Sequence, residues 1–149
     1  MAHVRKQIRD AAVSDLTGLE QTGENVFSGR ARPLASRHPP TWLVYSIDES
    51  TIGDSSGSPP KQLRTLTLRA EGRVQLPGNA DPEDLLDDMA VECERALLMS
   101  SRVFSLALAI DLMRTQIEVE AQGESVNGTI LIDFQVQYRT AEGSPTVAV

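Results

Sequence analysis

The stretch Ile130–Val149, ILIDFQVQYRTAEGSPTVAV, decides how the rest of the chain is read. Ile130, Ile132, Phe134, Val136 and Tyr138 alternate with the polar Asp133, Gln135, Gln137 and Arg139. That period of two is the signature of a strand with one face buried. Beyond Arg139 the alternation stops at TAEGSP, a polar turn, so residues 140–149 read as a flexible tail. A half-buried strand needs neighbours, and the sequence before it supplies them.

Immediately upstream, RTQIEVEAQ (114–122) alternates in the same way and is joined to the terminal strand through GESVNG (123–128), where Asn127-Gly128 reads as the hairpin turn. Leu63–Val74 places Leu66, Leu68 and Ala70 on one face and Thr65, Thr67, Arg69 and Glu71 on the other. TWLVYSI (41–47) is rich in β-branched and aromatic residues and reads as a buried strand antiparallel to it. Between these two, DESTIGDSSGSPPK (48–61) is polar and rich in Ser, Gly and Pro, and is expected to be a mobile loop.

Two helices complete the reading. Val4, Ile8, Ala11, Ala12 and Leu16 recur at helical spacing, with Gly18 placed to end the helix. The second starts at Asp81, a capping residue followed by Pro82 and then Glu83 and Asp84, which suit the positive end of a helix dipole. Its apolar stripe is Leu85, Met89, Cys93 and Ala96, joined by Leu86, Ala90 and Leu97. The run VFSLALAIDLM (103–113) reads as a connection leading into strand, and a further short strand is expected near Phe27 or Leu106. The order predicts one α+β domain over 1–149, a mostly antiparallel sheet of about four to five strands with two helices packed on one face.

At 149 residues one domain with a real core is possible, although aromatics are only 4%, so aliphatic side chains must build it. A lone cysteine, Cys93, excludes an intrachain disulfide and fits a reducing compartment. The N-terminus has no apolar run of signal-peptide length, so the chain is expected to stay in the cytosol. The formal charge of −7 is concentrated in DPEDLLDDMAVECE (81–94), which holds seven acids and no base. A chain without a basic excess is a poor general binder of phosphate backbones.

Chemistry is hard to find. Cys93 lies on the apolar face of its helix and reads as a structural thiol. His3 and His38, far apart in the chain, have no metal-pair spacing and read as exposed residues. Asp84, Asp87 and Asp88 share a helix turn, yet lack the glycine-turned loop of a cation site and read as a solvated or partner-facing surface. GRAR (29–32) lacks the spacing and lysine of a phosphate loop. No catalytic residue, cofactor or metal site is expected.

The opening helix VRKQIRDAAVSDLTGL (4–19), NVFSGRARPL (25–34), the Trp42–Ile47 strand, the acidic helix and the final FQVQYRTAEGSP (134–145) together resemble the tail terminator (tail completion, or minor tail) proteins of long flexible-tailed bacteriophages. The likeness spans nearly the whole chain and rests on loose strand and turn patterns. It implies a structural virion protein, made in the host cytoplasm, that forms a homo-oligomeric ring, a hexamer, on the head-proximal end of the tail tube. Such a ring ends tube polymerisation and offers the face for head-tail joining. Its partners would be further copies of itself, the tail tube protein and a head-completion or neck protein, with DNA passing through the channel without specific binding. The candidate interface or lumen residues are Arg30, Arg32, Arg37, Arg69, Asp84, Asp87, Asp88, Glu92 and Arg139. Another neck protein or a tube subunit, and from a different class a small ligand-binding or hydrolytic α/β domain, remain the alternatives.

Overall fold

The computed structural model describes residues 1–31 and 39–149, so Arg32, Arg37 and His38 lie outside the described residues. Helix α1 (Val4–Leu16) is followed by strands β1 (Val26–Ser28), β2 (Thr41–Ser55) and β3 (Lys61–Pro77). Helices α2 (Pro82–Leu98) and α3 (Ser101–Phe104) come next, then β4 (Ala109–Gln122), β5 (Ser125–Ala141) and β6 (Ser144–Ala148). The six strands form one sheet in the order β1-β2-β3-β5-β4, with β6 paired to β5 beyond the start of β4. Among the described residues only the β1–β2 pair is parallel. The expected α+β architecture is therefore observed, with one more strand than the four to five expected and with the short strand at Phe27 present.

The even-numbered residues of β3 and β5 form the buried face. Leu66, Leu68 and Ala70 lie with Ile130, Ile132, Phe134, Val136 and Tyr138, all inaccessible to solvent. From α1 they meet Val4, Ile8, Ala12 and Leu16, and from α2 Leu86, Met89, Cys93 and Leu97, at the spacing that makes a helix one-sided. Asp81 caps α2 by accepting from the Glu83 N–H at 2.9 Å, and Pro82 occupies the first turn, as the sequence indicates. Past α1 the chain turns at Gly18, whose φ of 89° favours glycine.

Three expectations need correction. The segment 48–61 is largely strand: β2 continues to Ser55 and β3 begins at Lys61, so the two run together as a long hairpin arm with a short connection. Its polar residues alternate across a ribbon instead of filling a loop. The tail 140–149 folds back: Thr140 is fully buried, β6 pairs with β5, and the Gln7 side chain donates to the Thr146 carbonyl at 2.9 Å. Backbone groups that looked free are thus satisfied within the sheet.

The third concerns Asn127-Gly128. The β4–β5 hairpin turns instead at Gly123-Glu124, with Gln122 opposite Ser125 and Gly123 at φ 61°. Asn127 and Gly128 lie inside β5, where the glycine serves packing. A Cβ on Gly128 would meet Pro82 Cβ at 2.9 Å and Leu86 Cδ1 at 3.0 Å; one on Gly72 of β3 would meet Ile130 Cγ2 at 2.8 Å and Met89 Cε at 3.0 Å. These two glycines let α2 settle on the centre of the sheet. Gly128→Ala is expected to destabilise the fold by about 1–3 kcal/mol through overpacking against the rigid Pro82 ring, measured as a lowered urea midpoint with an unchanged slope.

Candidate functional site

No residue set of the described chain has the look of a reaction centre. Cys93 is fully buried and burial drives its thiol pKa upward, which keeps it protonated and unreactive. Among the described residues no group of three or more His, Cys, Asp or Glu is disposed to hold a metal ion, and no helix is long and apolar enough to cross a membrane. His3, expected to be a plain exposed side chain, instead caps α1: its Nδ1 accepts from the Arg5 N–H at 3.2 Å, and burial lowers its pKa.

Three surfaces carry the candidate residues. The first is the sheet face turned away from the helices. There Arg69 donates twice to Asp133, directly opposite on β5, at 2.7 and 3.0 Å. Tyr45 donates to Glu71 at 2.7 Å, Arg73 pairs with the other Glu71 oxygen, and Arg30 stacks 4.7 Å above the Tyr45 ring while donating to the Ser46 carbonyl. Arg69 and Arg30 are thus engaged within the chain. Arg139, farther along the arm, pairs with Asp54.

The second is the outer face of α2, where Asp84, Asp87 and Asp88 are exposed. Glu92 departs from them: its carboxylate accepts from the Gln21 backbone N–H, tying the turn after α1 to α2.

The third was not singled out from the sequence. Strand β4 borders the sheet, pairs with β5 on one side and with no strand among the described residues on the other. Its exposed side chains include Leu112, Met113, Ile117 and Val119, with Leu108 and Phe104 exposed in the connection before it. Ile117 is opposite Ile130 and Val119 opposite Gly128, so both share the helix side of the sheet, but they remain 41% and 47% accessible. α2 touches β4 as well as β3 and β5 but leaves these two side chains only partly covered. A register shift between Leu112 and Arg114 gives the reason for their facing: Met113 is the extra residue of a bulge, which returns Ile117 and Val119 to the side of Ile110 and Leu112. The sequence signal was the change of apolar parity, from even at 110 and 112 to odd at 117 and 119.

A second bulge, between Ser46 and Asp48, works the same way in β2. It swings Glu49 to the helix side, opposite Leu66, where the carboxylate accepts from Arg5 of α1 at 2.9 Å, Arg64 of β3 at 3.1 Å and the Tyr138 hydroxyl. Glu49 is the polar pin between α1 and the arm.

No protein-family model and no curated protein matches the chain. Among solved structures, it is similar to a chain described as "Virion of native gene transfer agent (GTA) particle", with 14% sequence identity, 91% of this chain and 92% of that chain covered, and a TM-score of 0.38. A likeness so distant carries no inference about function.

The Glu49 pin generates a test. Burial first, and the Glu49 carboxylate second, raise the Tyr138 pKa; burial and Glu71 raise that of Tyr45. A phenol whose folded pKa lies above its unfolded value of about 10 stabilises the fold fully below that pH and loses the contribution as pH rises through the folded value. Urea unfolding should therefore show stability falling above about pH 10, and falling less in Tyr138→Phe. At neutral pH Glu49→Ala should cost about 3 kcal/mol, because it strands the Arg64 charge.

Proposed function

We propose that this chain is a structural virion protein, a ring-forming subunit that caps the head-proximal end of a phage tail tube, ends tube polymerisation and presents the face for head-tail joining. The observation that supports this reading is a sheet larger than its helices cover. Strands of 14 to 17 residues extend past the two helices as an arm at one end and as the bare β4 edge at one side. A subunit whose work is done by contact needs such surfaces, and the sequence resemblance to tail terminator proteins says what the contacts would be for.

The physics is that of a polymer cap. A head-to-tail contact closes into a ring when its rotation divides a full turn, and the ring must fit the tube on one face while refusing a further tube subunit on the other. Arg30, Arg69 and Arg139, already held by their intramolecular partners, would present a firm polar wall with little side-chain entropy left to lose. Asp84, Asp87 and Asp88 on the outer face of α2 would meet a basic partner or line the channel, where negative charge keeps passing DNA from sticking. Arg32 and Arg37 are proposed for the same contacts from the sequence alone. No covalent chemistry enters.

Addition of the purified protein to growing tail tubes, followed by electron microscopy and mass measurement, tests the reading. Rings of six at one tube end and an arrest of elongation are expected. Asp87→Lys/Asp88→Lys should fold normally but weaken joining or slow DNA passage. Endless cylinders of the protein alone would identify a tube subunit instead, and failure to bind tubes would remove the capping role.

A further inference from the structure

We infer that the free edge of β4 is a homotypic docking edge, at which two copies of the chain join β4 to β4, antiparallel, about a twofold axis at Ile117. An edge strand presents a row of unpaired backbone donors and acceptors, and folded proteins ordinarily blunt such edges by keeping them short or by placing Lys or Pro on them. β4 is 14 residues long, AIDLMRTQIEVEAQ, and holds neither Lys nor Pro. It carries a bulge at Met113 and exposed charges, but residues 114–122 beyond the bulge form a regular edge whose charges are of both signs and can pair with another copy. Unlike the matching edge of β2, part of which β1 covers, no strand of the described residues shields it.

The side chains point to the occupant. About a twofold axis at Ile117, each Thr115 falls opposite the other copy's Val119 and Ile117 falls opposite itself, continuing the partly exposed apolar surface across the junction. On the other face Arg114 falls opposite Glu120, with Glu118 as its diagonal neighbour, and Gln116 falls opposite Glu118. Twofold symmetry makes each pair off the axis twice and the Ile117 pair once. Pairing β4 instead with the open part of a second copy's β2 would set Glu118 and Glu120 beside a strand bearing Asp48 and Asp54, acid against acid. The bulge at Met113 bends the strand and ends the contact there, which limits it to a short ribbon of the reversible size class.

This pairing goes beyond the ring reading and does not rest on it. A twofold contact is isologous, while a ring that caps a polar tube is built from head-to-tail contacts. The pair is therefore the unassembled state: it covers an aggregation-prone edge and must open before that edge can serve in an assembly.

The test uses the full chain, its mass in solution across a concentration series, and one cysteine variant. A dimer that dissociates on dilution is expected for the natural chain. Ile117→Cys, exposed and facing its own copy, should oxidise to a covalent dimer, while the buried Cys93 of the natural chain should not cross-link. Arg114→Glu should weaken the dimer roughly tenfold or more, since both symmetric charge pairs are lost together, and Arg114→Glu/Glu120→Arg should restore it. Circular dichroism checks that each variant is folded. A natural chain that stays monomeric at the highest attainable concentration, a hexamer with no dimer beneath it, or a folded Ile117→Cys that does not cross-link overturns the proposal. The hexamer result would leave the capping role standing; a dimer that never engages tubes would do the reverse.

Discussion

The close seat of α2 on the middle of the sheet is the constraint from which the other features follow. Gly72 and Gly128 remove the side chains that would hold the helix off, and Met89, Leu86 and Pro82 occupy the space. α2 touches the border strand as well, and Ile110 of β4 joins the core, yet most of β4 beyond it stays exposed. β5 is buried on alternate residues along its whole length, while its neighbour β4 is exposed almost throughout. The edge of β4 is open because no further strand among the described residues pairs with it, and its face is exposed because the helices cover it only in part. That geometry, more than any single side chain, leaves strand surface uncovered at one side of the sheet.

Polar interactions divide between those that hold the fold together and those left at the surface. Glu49 gathers Arg5, Arg64 and Tyr138 and locks α1 to the arm. At the far end of α1, Asp15 accepts from Arg102 at 3.0 Å and from Ser100, joining α1 to the start of α3. The acids at the centre of these clusters are held by their partners. Arg5 and Glu49 also line an open cleft with Asp48, Leu66 and Ser46, whose buried hydroxyl has no hydrogen-bond partner among the described residues. The acids of α2 and the edge of β4 are where unsatisfied surface remains, one by charge and the other by backbone and apolar area.

Much of the fold was legible because its periodicities are clean. Ile130–Tyr138 and Leu66–Ala70 alternate without a break, Asp81-Pro82 announces α2, and the helical stripe of α1 ends before Gly18. The errors share a cause, in that local composition was given meaning that depends on tertiary context. Asn127-Gly128 resembles a turn, but the glycine answers to Pro82 and Leu86, which lie far away in the chain. Residues 48–55 resemble loop because their side chains are mostly polar, and 144–148 resemble tail because they follow a polar turn, while the backbones of both pair with neighbouring strands. Glu49 could not be recognised, since only the bulge beside it reverses its face. The parity change in β4 was visible, but its exposure depended on how far α2 reaches. Of the candidate residues, Arg30, Arg69, Glu92 and Arg139 turn out to have intramolecular partners, which no spacing rule reveals.

On the proposed reading β4 is a competent strand edge left open by the fold and closed by another protein chain. Hydrogen-deuterium exchange, followed strand by strand in dilute and concentrated solution and again with tail tubes, measures this directly. The account predicts that β3 and β5 amides are protected throughout, while β4 amides facing away from β5 exchange quickly in dilute protein and slow on association. Protection of β4 already complete in the dilute monomer, or unchanged under every condition of association, would contradict it.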